Sequence, residues 1–417
     1  MRYLLVYEHL DRGGIETLIV RMGNWLVNND HEVLLYVEKD GDMSALLDSR
    51  VQLVIPKNKY SIIFNPKQVL ALVGNPQIDC VYTFGPKSCL IGGILYSKLE
   101  NRENINFFSG IYHSREFNTG GDINSKGRLY LNYFKNYLKK GTRVFMSKET
   151  VEGIESTAQK TFNDPIIWPL AINLPEKSYN GKPKSLKIVS IGRYVPFKSY
   201  NLYMFEVVKE LIGKGLDVTW EVYGHGGLKD RMLALAAQKE YEGSIKVHGG
   251  IAYDKIPEVL KDTFVFHGMG TALLEAGSYG VPCIPAIAYN DKPNSYGYLY
   301  DIPYYTCGDH LGYDPGQPIV GLIEKLYHLN ENDFNEHRQK TKEYVAEYGM
   351  DALMAKFITF TERTDIGIKI KEYPKHLAYL YVLLNSYYNF RKKMAIRSRF
   401  KHFKNLFSKQ SKGLSNS

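Results

Sequence analysis

The amino-acid sequence predicts an α/β protein built from two doubly wound, parallel-sheet domains that face a cleft, followed by a basic helical extension. The chain has 417 residues, which suits two domains better than one core. Short apolar runs alternate with amphipathic stretches in both halves. A segment rich in Pro, Asn, Gly and Lys, residues 164–185, separates the halves and marks a linker.

In the first half, strands are predicted at short apolar runs, and the first helix is predicted where the apolar spacing becomes helical. Ile15, Leu18, Ile19, Met22 and Leu26 fall on one face of that helix. The predicted strands are Tyr3–Tyr7, Glu32–Val37, Val51–Ile55, Cys80–Phe84, Ile105–Ser109 and Arg143–Met146. Because helical stretches lie between them, these strands are expected to form a parallel sheet.

The alternation restarts after the linker, which predicts a second sheet of the same kind. Its strands are expected at Leu186–Ile191, Val218–Tyr223, Ile245–His248, Thr263–Phe266 and Pro282–Pro285, and its helices at Leu202–Ile212, Lys229–Gln238, Ile256–Leu260 and Thr271–Tyr279. Two such Rossmann-like domains bind ligands at the carboxyl ends of their strands. The predicted divisions are 1–165, a linker 166–185, 186–350, a crossover helix region 351–375 and a tail 376–417.

The composition is that of a globular protein, with 44% hydrophobic and 23% charged residues. No apolar run reaches the roughly 20 residues that span a bilayer. The apolar run at the N-terminus is too short for a signal peptide and favours a buried first strand. The four cysteines, Cys80, Cys89, Cys283 and Cys307, lack metal-ligand spacing, which predicts reduced core thiols in a cytosolic protein.

The positive charge is concentrated at the C-terminal end. Residues 391–417 contain nine Lys or Arg and no acid, which equals the net charge of +9 for the whole chain. The rest of the protein is therefore formally neutral. This distribution argues against a nucleic-acid partner and favours a tail that meets an anionic surface.

Two apolar stripes lie in this last part of the chain. The first is formed by Leu377, Leu380, Leu384 and Tyr387 at helical spacing. The second comprises Ile396, Phe400, Phe403 and Phe407, with Arg and Lys residues between them. The second stripe predicts a helix in a membrane interface. The alternative, a helix packed on the N-terminal domain, fits the first stripe better.

A glycine pair follows the first predicted strand. Gly13 and Gly14 open the first helix, where glycine lets a backbone approach a ligand and the helix N-terminus favours an anion. The third glycine of a dinucleotide fingerprint is missing. A tight turn without a ligand is the alternative interpretation.

A loop with two cations follows the first strand of the second half. It begins at Gly192, and its Arg193 and Lys198 are five positions apart, a spacing that suits a clamp on a diphosphate. Two ordinary solvated cations are the alternative. Gly224, after the next strand, would allow close approach of a nucleotide or of the neighbouring domain, or would simply form a flexible turn.

A carboxylate is expected on the first turns of another helix. Glu275 lies among Ala and Leu residues after Gly270 and Thr271. A buried carboxylate needs hydrogen-bond donors, and sugar hydroxyls would supply them. The alternative is an acid favoured by the helix dipole. The D-x-D sequence at residues 40–42 is predicted to be a turn, so no metal site is expected.

In this order and spacing, the four segments resemble the retaining glycosyltransferases of family 4, which have the GT-B fold. The glycine-rich motif of that family matches Gly13, Gly14 and Glu16, and its R-x4-K motif matches Arg193 and Lys198. Its E-x7-E region matches residues 267–275. The resemblance covers roughly residues 1–365 and implies a fold of two Rossmann-like domains.

The resemblance also implies roles for single residues. Arg193 and Lys198 would bind the donor diphosphate, Glu275 the ribose, and the backbone N–H of Gly14 the donor phosphates. His113 would lie near the transferred sugar, unless it is only a hydrogen-bonded histidine at a strand end. The expected catalytic residues are His113, Arg193 and Lys198, and the expected donor-binding residues are Gly13, Gly14, Glu16, Gly192, Gly224, His267, Gly270, Thr271 and Glu275.

One position departs from the family pattern. His267 stands where the first Glu of E-x7-E would face the donor sugar. Imidazole can hydrogen-bond a hydroxyl but is not a carboxylate. The donor sugar or its pose is therefore expected to be unusual, or the activity weak or lost.

The function implied by the resemblance is transfer of a sugar, with retention, from a nucleotide-diphosphate donor, with UDP favoured. The expected acceptor is a glycan or lipid-linked saccharide in surface polysaccharide synthesis, such as lipopolysaccharide or capsule. No cofactor or metal is expected. The enzyme would be cytoplasmic and peripheral on the inner face of the membrane. The alternatives are a catalytically silent partner that binds nucleotide or membrane, and a GT-B sugar-nucleotide epimerase.

Overall fold

The computed structural model describes residues 1–58, 62, 71, 77–100, 102–118, 123–362, 370, 380–384 and 387. Its two parallel sheets confirm the predicted α/β architecture of two domains. Further helices follow the second sheet, the last of which returns to the first domain.

The first sheet has seven parallel strands in the order β3-β2-β1-β4-β5-β6-β7. The strands are β1 Arg2–His9, β2 Glu32–Lys39, β3 Gln52–Val54, β4 Cys80–Phe84, β5 Asn106–Ile111, β6 Arg143–Phe145 and β7 Ile166–Ile167. Every residue of β4 and β5 is buried, as expected for central parallel strands with helices on both faces. β7 lies within the segment predicted as linker. It nevertheless pairs with β6 and therefore belongs to the first sheet.

Within the described residues, four α-helices of the first domain pack on this sheet. They are α1 Gly14–Asn28, α2 Pro86–Tyr96, α3 Ser125–Asn136 and α4 Lys148–Ala158. Helices α3 and α4 begin at side-chain caps, since Asn124 accepts from the N–H of Gly127 and Ser147 from the N–H of Thr150. The apolar side chains form two core clusters, one on each side of the sheet.

The second sheet has five parallel strands in the order β10-β9-β8-β11-β12. The strands are β8 Leu186–Ile191, β9 Val218–Tyr223, β10 Ile245–Val247, β11 Val265–Gly268 and β12 Cys283–Pro285. The helices between them are α5 Tyr200–Gly213, α6 Lys229–Ala236, α7 Ile256–Leu260 and α8 Thr271–Ser278. A small hairpin, β13 Asn294–Ser295 and β14 Gln317–Pro318, follows.

Both sheets reverse their strand order at the first strand of the domain. β1 lies between β2 and β4, and β8 lies between β9 and β11. Ligands of open α/β sheets bind at the carboxyl ends of strands where the order reverses. The loops that follow β1 and β8 are therefore the positions at which the fold would hold a ligand.

Helices α9 Ile319–His328, α10 Glu331–Ala346 and α11 Met350–Thr361 follow the second sheet. Helix α11 leaves the second domain and packs in the core of the first through Leu353, Met354 and Phe357. Trp168 of the linker donates its indole N–H to the Leu353 carbonyl at 2.8 Å. The linker and α11 therefore form a double connection between the domains.

Part of the first apolar stripe near the C-terminus lies in the described residues. Tyr381 is buried against the first core and donates to Glu38 at 3.3 Å, whereas Leu380 and Tyr387 are exposed. Leu384 of the stripe also packs against this core, so the described part of the segment lies on the first domain, as the alternative interpretation predicts. Leu377 and residues 391–417 lie outside the described part of the chain.

Within the described residues, no helix combines the length and apolar character needed to cross a membrane. The four cysteines are free and buried, as expected for core thiols.

Candidate active site

The loop of residues 192–199 joins β8 to α5 and carries two adjacent cations. The N–H of Gly192 donates to the Tyr223 carbonyl at 2.9 Å, which ties the start of this loop to β9. A Cβ atom at Gly192 would lie 2.7 Å from the Lys198 ammonium. Glycine at position 192 thus leaves room for the ammonium above the end of β8.

The two cations have no acidic partner at ion-pair distance. Lys198 is half-buried and Arg193 is exposed, and within the described residues neither forms a salt bridge. Burial, and then the neighbouring Arg193, lowers the pKa of Lys198 to about 8. An uncompensated cation pair at the switch point of a sheet is suited to bind an anion.

The N-terminus of α1 faces this part of the second domain. A Cβ atom on Gly14 would lie 3.5 Å from the Thr271 hydroxyl oxygen, so the first turn of α1 meets the first turn of α8 across the cleft. Gly13 precedes α1, and Gly270 precedes α8 with φ +69°. Two facing helix N-termini add positive potential next to the cation loop.

Glu16 lies in the first turn of α1 and is nearly buried. Its carboxylate accepts from the Tyr7 hydroxyl at 3.4 Å and lies 3.4 Å from His9 Nδ1. Burial raises the pKa of Glu16, while the positive charges of His9 and Arg193 oppose that shift. The first domain thus places an acid within electrostatic reach of Arg193.

His113 follows β5 and contacts the cation loop from the first domain. Its ring centroid lies 6.2 Å from that of Phe197 and 6.3 Å from that of Tyr289. Its Nδ1 atom accepts from the Arg115 backbone N–H at 2.9 Å. Burial and the Arg115 charge lower the pKa of His113, which favours neutral imidazole at the cleft.

Gly224 is a packing position. A Cβ atom there would lie 1.9 Å from the carbonyl oxygen of Gly192, which is possible only if the backbone shifts. The Tyr194 N–H also donates to the His225 carbonyl at 2.9 Å. The loop after β9 therefore holds the cation loop in place, and the glycine is required for this contact of backbone with backbone.

His267 does not face the cleft, so its predicted contact with the donor sugar is wrong. Its side chain is fully buried; Tyr203 OH lies 2.9 Å from Nε2 and the Ile284 carbonyl 2.9 Å from Nδ1. The physical reason is that β11 continues to Gly268 instead of ending at Phe266. His267 therefore lies within the strand and not in the loop that follows it. Burial lowers the pKa of His267 to about 4, so the imidazole is neutral.

Glu275 lies in the second turn of α8 and meets the first domain. Its carboxylate forms a buried ion pair with Arg21 of α1. Burial raises the pKa of the Glu275 carboxyl, and Arg21 opposes that shift. The acid predicted to bind ribose is therefore at the boundary between the domains, but it already has a cationic partner.

Sequence reasoning missed Arg21, as well as the contact between Ser147 and Asp309. The Ser147 hydroxyl donates to the Asp309 carboxylate at 3.1 Å across the domain boundary, and burial raises the pKa of Asp309 to about 7. The only sequence signal for Arg21 was a cation between Val20 and Met22 in an apolar helix. Its partner lies 254 positions away.

A cavity of about 460 Å³ lies beside α1, on the side that carries Arg21, and its lining does not include the cation loop. It is lined by Thr17, Val20, Arg21, Asn24, Trp25, Asn28, Met43, Leu46, Asn173, Tyr253, Met350 and Asp351.

Within the described residues, no group of three or more His, Cys, Asp or Glu could hold a metal ion. In the D-x-D segment, Gly41 is extended and passes close to the Leu10 backbone, and Asp42 begins a short 3₁₀ helix, Asp42–Leu46.

Two parallel-sheet domains, with a cation pair and two facing helix N-termini at their boundary, form a two-domain α/β fold with a candidate anion-binding site. Residues 175–292 match the family model described as glycosyl transferases group 1. This segment includes the cation loop and α8, so the candidate donor side of the cleft lies in the matched part. No curated protein matches the chain.

Solved structures share the fold at low sequence identity. A glycosyltransferase from Rickettsia africae superposes with a TM-score of 0.62 at 14% identity, over 87% of this chain and 97% of that chain. TarM gives 0.61 at 12% identity, over 87% and 98%. The apo form of the lipopolysaccharide outer core galactosyltransferase WaaB gives 0.55 at 14% identity, over 86% and 99%. These similarities support the GT-B fold.

Proposed function

We propose that this protein is a retaining glycosyltransferase that moves a sugar from a nucleoside-diphosphate donor, with UDP favoured, to a glycan or lipid-linked saccharide. The observation that carries the proposal is the uncompensated pair Arg193 and Lys198. The pair follows the switch-point strand β8, and the first domain approaches it through Glu16 and His113. Such a pair is suited to the diphosphate of a donor.

The proposed chemistry follows from the charge that develops during transfer. When the glycosidic bond to the donor breaks, negative charge grows on the diphosphate, and preorganised donors stabilise it. Arg193, Lys198, the N–H of Gly14 and the N-terminus of α8 would supply this stabilisation. The leaving phosphate would accept the acceptor's proton, and His113 would lie beside the sugar. In this mechanism the cations neutralise the diphosphate without a metal.

The comparisons support the proposed substrates only by analogy. A second TarM structure, from S. aureus, is in complex with fondaparinux, alpha-GlcNAc-glycerol and UDP, and has a TM-score of 0.53 at 17% identity over 74% of this chain and 59% of that chain. WaaB is a lipopolysaccharide outer core galactosyltransferase. We therefore favour UDP for the donor and a surface polysaccharide for the pathway product.

The basic tail is proposed to attach the enzyme to the inner face of the cytoplasmic membrane. Each Lys or Arg near an anionic surface contributes about 1 kcal/mol, and residues 391–417 hold nine. Deleting residues 391–417 should abolish sedimentation with anionic vesicles while leaving the unfolding curve unchanged. Equal sedimentation of the truncated and full-length proteins would contradict the proposal.

The central experiment is a panel of nucleotide sugars scored by release of nucleoside diphosphate. We expect release with one donor, dependent on an acceptor saccharide, and its loss in Arg193→Ala and Lys198→Ala. Lys209→Ala serves as the matched control, because Lys209 forms an exposed pair with Glu240. Normal release by both cation variants would contradict the proposed clamp.

A silent glycosyltransferase-like partner is the second candidate, and one observation favours it. Glu275 is already paired with Arg21, so one acceptor of the predicted ribose site is occupied. Calorimetry with the same panel separates the two candidates. Nucleotide binding without any release of diphosphate, with every acceptor tried, would favour the silent protein.

A further inference from the structure

The boundary between the domains contains a buried ion pair that joins α1 to α8. The Arg21 side chain is 5% exposed and the Glu275 side chain is 10% exposed. Burying two charges is costly, and such pairs often add little stability. Stability alone therefore does not explain this ion pair, and its effect on the Glu275 carboxylate has to be considered.

Arg21 contacts three segments besides its own helix. One guanidinium nitrogen donates to the Ala171 carbonyl of the linker at 3.2 Å. The other donates to the Tyr253 hydroxyl at 2.5 Å and to one oxygen, Oε1, of Glu275. Tyr253 also lies with its ring centroid 5.3 Å from the guanidinium carbon. These contacts fix the arginine, so the direction of the carboxylate is fixed as well.

The Arg21 pairing does not by itself exhaust the hydrogen-bonding capacity of Glu275. An ionised carboxylate has about four acceptor positions on its two oxygens, and Arg21 contacts Oε1. Burial raises the pKa of Glu275, and the Arg21 charge, the Arg21 hydrogen bond and a hydrogen bond with Tyr253 oppose this shift. An ionised carboxylate accepts stronger hydrogen bonds from hydroxyls than a protonated one.

We propose that Arg21, a residue of the first domain, is a positioning residue that holds the Glu275 carboxylate oriented toward the ribose hydroxyls of the donor. The inference rests on the proposed function. It makes ribose recognition by the second domain dependent on contact with the first domain. The donor would then be held tightly only when the two domains are in the arrangement that brings α1 against α8.

The test measures how well the protein distinguishes UDP from 2′-deoxy-UDP, by calorimetry on the full chain. The ratio of the two dissociation constants isolates the ribose contact, whereas general damage weakens both ligands alike. We expect the wild type to prefer UDP about tenfold, which is the effect of one hydrogen bond to a charged group. Arg21→Gln should bring this ratio close to one, and Arg21→Lys should restore part of it.

Two further variants control for folding. Arg21→Gln leaves a buried carboxylate without its cation, so Arg21→Gln with Glu275→Gln removes both charges and should fold. The double variant should lose the preference for UDP over 2′-deoxy-UDP to the same extent as Glu275→Gln alone, because the effects of substituting two coupled residues do not add. Arg50→Gln, in an exposed pair with Asp48, should keep the wild-type ratio.

The outcomes separate this inference from the proposed function. If the wild type binds no nucleoside diphosphate of a panel of uridine, guanosine, adenosine, cytidine and thymidine forms, both fail. If it binds UDP but the Arg21→Gln variant keeps the wild-type ratio, or binds UDP more tightly, the positioning role is overturned while the donor assignment stands. If another base binds, the same ratio is measured with that nucleotide and its 2′-deoxy form.

Discussion

Arg21 and the cation loop both place positive charge at the domain boundary, but only the charge of Arg21 is compensated by an acid within the described residues. Arg21 is buried and pairs with Glu275, whereas Arg193 and Lys198 form no salt bridge within the described residues. The ion pair offsets the desolvation of Arg21, whereas the desolvation of Lys198 is not offset by an acid within the described residues and lowers its pKa. In the proposed function, the unpaired cations bind an external anion, while Arg21 acts on its own partner, Glu275.

The sharpest test of this contrast is removal of the unpaired cations. Lys198→Ala or Arg193→Ala should lower turnover about 10²–10³-fold, the effect of removing one preorganised donor from a developing negative charge. The free energy of unfolding should be unchanged or slightly higher, because the two cations repel each other. Steady-state release of nucleoside diphosphate and urea unfolding measure both effects. A large loss of stability would instead indicate that the cations support the fold.

The lowered pKa of Lys198 predicts a pH dependence. Below pH 8 the ammonium is charged; above its pKa of about 8 it loses the proton and its attraction for the diphosphate. In the free enzyme, kcat/KM for the donor should therefore fall as the pH rises through about 8, up to tenfold per unit. Lys198→Arg stays charged and should shift this fall to higher pH. An identical alkaline limb in both proteins would exclude Lys198 as its origin.

The cation loop should also respond to the backbone that supports it. In Gly224→Ala the new Cβ would meet the Gly192 carbonyl at 1.9 Å, so the loop must move. We expect a destabilisation of about 1–3 kcal/mol, as for overpacking, with a rise in the donor dissociation constant. Gly227→Ala is the matched control, because a Cβ there meets no atom within 4 Å. Similar effects from both substitutions would refute the packing role.

Much of the fold follows from local sequence, and the strands show why. β4, β8 and β9 begin and end at the predicted residues, because short buried runs flanked by turns specify parallel strands. The end of β11 was predicted two residues too early, at Phe266. A strand end depends on pairing with its neighbour, and here β11 pairs with β12 as far as Gly268.

The candidate site likewise contains residues that the local sequence predicts and residues that only the tertiary structure brings together. The cation loop and the first turns of α1 and α8 could be located from glycines and charges next to predicted strands. The partner of Glu275 could not, because Arg21 lies in the other domain and only tertiary packing brings the two together. Contacts within one strand–loop–helix unit are visible in the sequence, whereas contacts between domains are not.

Substitution of His267 is expected to have the smallest effect on catalysis, because this residue lies within β11 and is fully buried. In His267→Gln, loss of a hydrogen bond to Tyr203 or to the Ile284 carbonyl would leave a buried polar group unpaired, so stability should fall by about 1–3 kcal/mol. Donor preference across the nucleotide-sugar panel should be unchanged, because the side chain is sealed beneath α5. In His267→Glu, a buried carboxylate without a cation should destabilise the protein further. A changed donor preference in the Gln variant would return His267 to the sugar site and contradict the structural correction.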